Sequence, residues 1–344
     1  MRVLCVAPYF HPKPGGLERY VYEVCRRLAE RHEIKVLCSN PSSQVFEVIG
    51  VGEGIKISNT PVSFRAARVF PELSRWCDVV YAHTPVPYFA DMALLLKKKP
   101  SVVVYHSAFV TAAGTLAPLA RIYRCLQPYI HSRAEISVAV SDFVKRAVKA
   151  DFVVEPGVDI NFFRPGPRKE DYLLFVGQLN RGHMWKGLDV LIEAASLSGE
   201  RLVVVGEGNK REYYEKLSQV FNVSVEFTGV VGDSDLVKLY SSAKLLVLPS
   251  KSDLEAFGMV ALEANACGTG VVGTRVGGIP CYIRDGKNGV LCNPSPRSLA
   301  EAIERAGKIY RKLGSTGRRI AERYTWESAA EKTEKILIEA VNSA

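Results

Sequence analysis

The chain has 344 residues, of which 47% are apolar and 24% charged, with 45 basic against 36 acidic side chains. This composition is typical of a globular protein and excludes a collagen, a coiled coil, a disordered chain and a disulfide-stapled miniprotein. Apolar runs such as Met92–Leu96 stop after a few residues, whereas a membrane span needs about 20. The opening apolar stretch is likewise too short for a signal peptide.

Short apolar and β-branched runs predict strands along the whole chain. In the first half they are Val3–Ala7, Ile34–Cys38, Val79–His83, Ser101–His106, Ile136–Val140 and Val153–Glu155. In the second half they are Tyr172–Val176, Leu202–Val205, Val223–Thr228, Leu245–Leu248, Gly270–Gly273 and Val290–Cys292. Between them, helices are predicted at Leu17–Glu30, Val190–Ser196, Leu236–Ser242, Met259–Cys267 and Leu299–Leu313. Most strands are continuously apolar, which indicates parallel strands covered by helices on both faces.

The strand series restarts after Asn161–Glu170, a segment with two prolines, a glycine and several charges that we interpret as a linker. The sequence therefore predicts an α/β protein with two doubly wound, Rossmann-like domains, residues 1–160 and 161–325, facing a central cleft. We expect residues 326–344 to form a helix that crosses back to the first domain. In such folds ligands bind at the carboxyl ends of the strands.

The spacing of metal-binding residue types disfavours a metal site. No two of the eight cysteines form a C-x-x-C pair and the six histidines show no H-E-x-x-H spacing, so we expect reduced cysteines in a cytoplasmic protein. Asp233-Ser234-Asp235 resembles a D-x-D metal motif. It immediately precedes the predicted helix Leu236–Ser242, however, where Asp and Ser are favoured as N-caps. We therefore predict neither a bound metal nor a cofactor.

Two glycine motifs follow predicted strands. Gly15-Gly16 stands at the start of a helix, where backbone N–H groups can approach a phosphate closely, although a plain turn explains the pair equally well. Gly206-Glu207-Gly208 lacks the third glycine of the dinucleotide fingerprint because Arg211 occupies that position, so nicotinamide binding is poorly supported.

The most informative segment follows the buried strand Leu245–Leu248. After Pro249-Ser250, a polar loop presents Glu255, Gly258 begins a helix, and Glu263 lies inside that helix. A carboxylate among apolar residues needs a partner, because an unpaired buried charge is costly. The alternative is two surface glutamates on an amphipathic helix.

This segment resembles the signature of the retaining glycosyltransferases of the GT-B fold, the large family 4 group (glycosyl transferases group 1). Other segments resemble family motifs in the same order, and together they cover nearly the whole chain. They are Gly15-Gly16, Tyr105-His106-Ser107, Glu155-Pro156-Gly157-Val158-Asp159, Phe175-Val176-Gly177-Gln178-Leu179, Lys186-Gly187, Gly277-Gly278-Ile279-Pro280 and Asp285-Gly286-Lys287-Asn288-Gly289.

The resemblance implies roles for residues on the donor side. Glu263 is expected to bind the ribose of a UDP- or GDP-linked sugar, and Glu255 to hydrogen-bond the donor sugar. Donor binding is also expected of Gly16, Gln178, Arg181, Lys186, Gly258, Met259 and Val260, and a catalytic role of His106, Glu255 and Lys186. The nucleotide sugar is then a substrate rather than a cofactor, and its leaving diphosphate is stabilised by cations and a helix N-terminus without a metal.

Two departures from the family pattern bear on these roles. Gln178 stands where a basic residue is usual, and Arg181 is the candidate to supply that charge. Ala108 stands where many relatives have Asp, which removes one polar acceptor contact.

The activity implied is transfer of a hexosyl unit to a sugar or lipid-linked acceptor. The alternatives are a nucleotide-sugar epimerase or phosphorylase on the same fold, and a non-catalytic nucleotide-sugar-binding protein, since fold does not fix function. The residues expected at an active site of this family are all present, which disfavours a non-catalytic protein. They are Glu255, Glu263, Lys186 and His106.

Residues 56–133 carry ten basic against three acidic side chains, interleaved with aromatic residues. This pattern suits an anionic lipid surface, while the alternative is a solvated basic face over an aromatic core. We expect His83, Arg65 and Arg68 to bind the acceptor, and a peripheral position on the inner face of a membrane in cell-envelope glycan synthesis. Nucleic acid is not an expected partner.

Overall fold

The computed structural model describes residues 1–40, 46–57, 60–108 and 117–343, and it divides into two compact units. The first unit joins Met1–Gly157 to Trp326–Ala344, and the second is Val158–Thr325.

The first unit is built on a seven-stranded parallel sheet. Its strands, with one separate hairpin, are β1 (Arg2–Val6), β2 (Glu33–Cys38), β3 (Glu47–Gly50), β4 (Ile55–Ile57), β5 (Thr60–Val62), β6 (Val79–Thr84), β7 (Ser101–Tyr105), β8 (Ile136–Ala139) and β9 (Phe152–Val153). The sheet order is β3-β2-β1-β6-β7-β8-β9, and β4 pairs with β5 in antiparallel fashion. The helices of this part of the chain are α1 (Gly16–Leu28), α2 (Phe64–Trp76), α3 (Phe89–Leu96), α4 (Ala117–His131) and α5 (Asp142–Val148).

The second unit repeats this plan with six parallel strands. They are β10 (Leu173–Val176), β11 (Leu202–Val205), β12 (Val225–Gly229), β13 (Leu245–Leu248), β14 (Gly270–Thr274) and β15 (Gly289–Cys292), in the order β12-β11-β10-β13-β14-β15. A 3₁₀ helix at Arg181–Lys186 precedes α6 (Leu188–Ser198), α7 (Arg211–Val220), α8 (Asp233–Ser242), α9 (Met259–Ala266), α10 (Ile279–Tyr282), α11 (Pro296–Gly307) and α12 (Tyr310–Ala321).

The last helix, α13 (Trp326–Asn342), packs within the first unit. Trp326 is fully buried and its ring meets that of Tyr20 edge to face, with 5.9 Å between ring centroids. The Arg27 guanidinium on α1 also binds the carboxylate of Glu327 at 2.6 Å. The chain therefore ends on the unit in which it began.

Continuous apolar strands are buried on both faces. Leu174, Leu246 and Val271 belong to one hydrophobic cluster of the second unit. Their chain neighbours Leu173, Leu245 and Val272 belong to another. Alternate residues of a strand point to opposite faces, so helices must cover both sides of this sheet. The predicted fold class of two Rossmann-like α/β sheets is confirmed.

The structure corrects three local predictions. Strands β3, β4 and β5 were not predicted, because they are only three or four residues long and lack a long continuous apolar run. The helix predicted over Leu299–Leu313 is two helices. The first ends at Gly307, and Leu313 lies on the second, where its Cβ fills the space beside Gly270.

The third correction concerns the D-x-D segment. Asp233 begins α8 and Gly232 is its N-cap, so the two aspartates lie in the first helical turn and do not cap the helix. They still face the positive end of the helix dipole.

Each sheet has one point at which the strand order reverses. In the first sheet it lies between β1 and β6, and in the second between β10 and β13. Loops that leave such strands at their carboxyl ends diverge and open a crevice, which is the usual ligand position in doubly wound sheets. Within the described part of the chain, no helix combines the length and apolarity needed to cross a membrane.

Candidate functional site

Two loops meet at the reversal point of the second sheet. One follows β10 and ends in the 3₁₀ helix, and the other follows β13 and leads into α9. The Lys251 N–H donates a 2.7 Å hydrogen bond to the Trp185 carbonyl and so ties the loops together. A Cβ at Gly187 would lie 2.0 Å from the Pro249 carbonyl oxygen, so only glycine allows the backbones to approach this closely.

Lys186 and Glu255 face each other from these two loops. The Lys186 Nζ lies 3.4 Å from the Glu255 Oε2, and the two side chains are only 19% and 12% exposed. The ammonium also lies 4.9 Å from the centre of the Trp185 ring. An ammonium has three donors, so Lys186 can bind a further anion while it keeps this contact.

The loop that carries Glu255 is held by a pair of glycines from the segment after β14. The Gly278 N–H donates to the Glu255 carbonyl at 2.7 Å, and the Gly277 N–H donates to Asp253 Oδ1 at 2.8 Å. A Cβ at Gly278 would lie 1.8 Å from the Ala256 carbonyl oxygen. The two glycines therefore fix the position of the Glu255 backbone.

Gly258 turns this loop into α9. It adopts a left-handed conformation, with φ of 88°, that favours glycine. Met259 and Val260 are the first two residues of the helix, where no intrahelical carbonyl accepts from the backbone N–H groups. Such a helix start is an anion-binding position.

Glu263 lies in the same helix and is only 7% exposed. Its Oε2 accepts a 2.8 Å hydrogen bond from the hydroxyl of Tyr240 on α8. The alternative of two surface glutamates therefore does not hold for Glu263. Tyr240 was not recognised in the sequence, because a tyrosine in an amphipathic helix carries no signal that it holds a carboxylate on another helix.

Gln178 replaces a basic residue that is usual in the family, and Arg181 is the candidate to supply that positive charge. Both residues lie in the loop that carries Lys186. Gln178 and Arg181 are both exposed, and the Arg181 N–H donates to Asn209 Oδ1 at 3.0 Å. Arg181 begins the 3₁₀ helix that Lys186 ends. A neutralising role for Arg181 stays a prediction.

A histidine pair marks the reversal point of the first sheet. His83 near the end of β6 and His106 just after β7 share a 2.9 Å hydrogen bond between Nδ1 and Nε2. Burial lowers the pKa of His106 to about 3, and burial beside His106 lowers the pKa of His83 well below its usual range. Both rings are therefore neutral near pH 7, one donating and the other accepting.

The residues predicted to bind the acceptor differ in their exposure. His83 is fully buried in this structure and shares a hydrogen bond with His106, and its acceptor-binding role stays a prediction. Arg65 and Arg68 are exposed in the first two turns of α2. Gly16 is exposed and is the first residue of α1, directly after the loop that follows β1.

A second buried hydrogen-bond network in the first unit was also missed. The His131 ring bridges the Tyr105 hydroxyl, 2.8 Å from Nδ1, and Asp91 Oδ1, 3.0 Å from Nε2. Asp91 is 7% exposed within the otherwise apolar helix α3. The sequence signal that could have indicated this network is the single aspartate in an apolar helix, because a buried carboxylate requires hydrogen-bonding partners.

No cluster of three or more His, Cys, Asp or Glu side chains suited to a metal ion occurs among the residues that the structure describes. Asp235 instead pairs with Lys238 at 2.8 Å.

Comparisons with known proteins match both halves of the chain. Residues 159–322 match the family model described as "Glycosyl transferases group 1", and residues 14–162 match "Glycosyltransferase Family 4". The D-inositol 3-phosphate glycosyltransferase of Mycobacterium tuberculosis is 33% identical over 379 aligned residues, which cover 92% of this chain and 77% of that protein.

Solved structures share the fold at lower sequence identity. The sucrose-phosphate synthase of Thermosynechococcus elongatus has a TM-score of 0.81 at 19% identity and covers 100% of both chains. Anabaena HepE in complex with UDP-glucose has a TM-score of 0.76 at 20% identity, over 98% of this chain and 100% of that one.

Proposed function

This chain belongs to the glycosyltransferases of family 4, or group 1, with the GT-B fold, and from that premise we propose that it is a retaining hexosyltransferase. Its donor is a UDP- or GDP-linked sugar and its acceptor a sugar or a lipid-linked sugar. The observation that carries the proposal is the Lys186–Glu255 pair, at 3.4 Å, beside the N-terminus of α9.

The chemistry that this site must support is departure of a nucleoside diphosphate. Breaking the bond between the sugar carbon and the phosphate oxygen leaves negative charge on the diphosphate and an oxocarbenium-like sugar. The Lys186 ammonium and the N–H groups of Met259 and Val260 are proposed to bind that charge. Because these donors are already in place, they stabilise the transition state without reorganisation.

The two glutamates are assigned different parts of the donor. Glu255 lies in the loop beside Lys186 and is proposed to hydrogen-bond the sugar. Glu263 is proposed to hold the ribose hydroxyls. Its buried position and the Tyr240 hydrogen bond support this assignment, because they fix the carboxylate before the nucleotide arrives.

His106 is proposed to contact the sugar as a neutral hydrogen-bonding group. Its lowered pKa supports this role and disfavours a role as a cationic acid at neutral pH. Gly16, at the start of α1, is assigned to the diphosphate through its backbone. The roles of both residues remain part of the proposal.

The acceptor is proposed to be anionic. The exposed Arg65 and Arg68 supply positive charge in α2, beside Phe64, which is 76% exposed. The curated relatives are named for inositol 3-phosphate, so a phosphorylated polyol belongs in the acceptor screen with lipid-linked sugars. A position at the cytoplasmic face of a membrane is part of this proposal.

A two-stage experiment tests the function. Thermal-shift measurements with UDP, GDP and their hexose conjugates identify the donor, since a ligand at 100 times its dissociation constant adds about 2.7 kcal/mol. NMR of the reaction with each candidate acceptor then reports transfer and the anomeric configuration of the product. A β-linked product from an α-linked donor would overturn the retaining assignment.

The same reactions distinguish the other candidate activities. Isomerisation of the free nucleotide sugar indicates an epimerase, phosphate-dependent cleavage indicates a phosphorylase, and donor binding without turnover indicates a binding protein. Activity is expected to survive EDTA, because Lys186 and the helix N-terminus are proposed to replace a metal. Loss with EDTA that Mg²⁺ or Mn²⁺ restores would contradict metal independence.

A further inference from the structure

Helix α4 has one side packed into the first unit and an exposed apolar stripe on the opposite side. Ala120 and His131 are buried, and Tyr123 and Gln127 between them are partly buried. The opposite side exposes Ile122, Leu126 and Tyr129 by 57%, 52% and 76%, together with Cys125. A surface helix normally carries polar residues on its outer side. The fold of the first unit thus accounts for the buried side and leaves the outer apolar stripe unexplained.

The inner side of α4 is held firmly, so the outer stripe is a defined surface. The Tyr123 hydroxyl donates to Asp91 Oδ1 at 2.9 Å, and the His131 ring lies 3.0 Å from the same oxygen. Asp91 belongs to α3, which packs between the sheet and α4. These buried contacts fix the rotation of α4 about its own axis.

The charges on α4 are all of one sign. Arg121 and Arg124 are exposed on one flank of the apolar stripe, and the helix sequence contains no Asp or Glu. Arg133 follows, and the next acidic residue, Glu135, pairs with Lys97 at 2.5 Å. An apolar stripe with a cationic border is complementary to an anionic bilayer, whose acyl chains take up the stripe and whose headgroups attract the arginines.

We propose that the outer face of α4, formed by Ile122, Cys125, Leu126 and Tyr129 and bordered by Arg121 and Arg124, docks onto an anionic lipid bilayer. Docking itself does not depend on the proposed function. Its use does, because docking would bring a lipid-linked acceptor to the first unit. A protein partner is the less favoured occupant, because the charges bordering the stripe are all positive, which matches a continuous surface of anionic headgroups.

Vesicle co-sedimentation tests the surface directly. The full chain is mixed with vesicles of equal parts phosphatidylglycerol and phosphatidylcholine, or of phosphatidylcholine alone, at 50 and 500 mM NaCl. We expect binding to the anionic vesicles at low salt and a large loss at high salt, because exposed charges are screened within a few ångströms at that ionic strength. Equal binding to the neutral vesicles, or no binding at all, would overturn the proposal.

Matched substitutions locate the contact. Ile122→Asp with Tyr129→Asp should lower vesicle affinity at least tenfold, because it places two anions in the stripe. Leu197→Asp with Val220→Asp is the control, since these residues are 62% and 78% exposed in the second unit. If both double variants bind as the wild type does, α4 is not the docking face.

A probe on Cys125 gives a second measurement that does not depend on a disruptive variant. All eight cysteines lie among the described residues, and Cys125 is the exposed one, so it can be labelled with an environment-sensitive maleimide dye in a Cys281→Ser background, since Cys281 is partly exposed. We expect a blue-shifted, brighter emission with anionic vesicles. An unchanged spectrum under conditions in which the protein sediments with vesicles would show that another surface binds.

Two further readouts separate this proposal from the proposed function. Thermal shift by the nucleotide sugar should be the same in the Ile122→Asp/Tyr129→Asp variant as in the wild type, which also reports that the variant is folded. A protein that binds vesicles through α4 but transfers no sugar contradicts the proposed function and leaves this inference standing. Light scattering that finds a wild-type dimer, dissociated by the same variant, would assign the stripe to a second copy and overturn the lipid assignment.

Discussion

The Lys186 ammonium and the Glu255 carboxylate lie 3.4 Å apart although 69 residues separate them in sequence. They meet because β10 and β13 are neighbours in the second sheet and both strands end at the same edge. Both side chains are mostly buried, so removing one of them leaves the charge of the other without its partner. The pair therefore presents Lys186 in a fixed position before any ligand binds.

Removal of the ammonium should impair catalysis. Lys186→Ala is expected to lower kcat/KM at least a hundredfold, or about 3 kcal/mol, as loss of a preorganised charge typically does. Lys251→Ala is the matched control, since Lys251 lies in the adjoining loop and pairs with Asp189 at 2.7 Å. Steady-state kinetics with saturating acceptor measure kcat/KM for both variants. Equal values in the two variants would show that Lys186 has no role in the mechanism.

The two glutamates should separate in binding and turnover. Glu263→Ala should weaken free nucleotide and nucleotide sugar alike, because its proposed partner is the ribose. Glu255→Ala should mainly lower turnover and leave free nucleotide affinity nearly unchanged. Calorimetric titration with the nucleotide and its sugar conjugate measures both affinities, and an equal loss in the two variants would mean that the roles are wrongly assigned.

Arg181 should make a smaller contribution than Lys186. If it supplies the charge that Gln178 lacks, Arg181→Ala should reduce kcat/KM by several-fold, because an exposed cation is screened by solvent. Gln178→Arg in the same background should then restore part of the rate. Wild-type kinetics in Arg181→Ala would show that Gln178 has no such replacement.

The Gly278 hydrogen bond to the Glu255 carbonyl should matter for turnover. Gly278→Ala puts a Cβ 1.8 Å from the Ala256 carbonyl oxygen, so the loop must shift and kcat is expected to fall at least tenfold. Gly286→Ala is the control, because its left-handed φ of 73° imposes strain while no atom lies within 4 Å of the new Cβ. Parallel melting curves and kinetics separate lost stability from lost positioning.

The buried histidine pair should make stability depend on pH. The pKa of His106 falls from 6.5 in the unfolded chain to about 3 when folded, so below pH 6.5 the unfolded chain binds more protons. The free energy of unfolding should therefore drop as the pH falls from 6.5 towards 3, by about 2 kcal/mol at pH 5 for one such group. Tyr20 and His83 are the titratable groups that face His106.

Urea unfolding at pH 7 and pH 5 measures this effect. His106→Gln should reduce the difference in unfolding free energy between the two pH values. A pH dependence that survives His106→Gln in full would assign it to other groups.

The sequence alone determined the fold class and the donor-side motif. Continuous apolar runs specify strands buried on both faces, and each of the twelve predicted strands overlaps a strand of the two sheets. The motif from Glu255 to Glu263 was readable because its spacing lies within one loop and one helix. Short edge strands such as β3 were not readable, because an edge strand without a continuous apolar run has no strong local pattern.

The tertiary structure decided what each polar residue meets. No local pattern places Tyr240 against Glu263, Gly278 against the Glu255 carbonyl, or His83 beneath His106, because each contact joins different elements of a sheet or helix layer. The same holds for the outer stripe of α4, whose apolar residues look in sequence like core residues. Only the packed unit shows which side of α4 is buried, because a helix can turn just one face to the core.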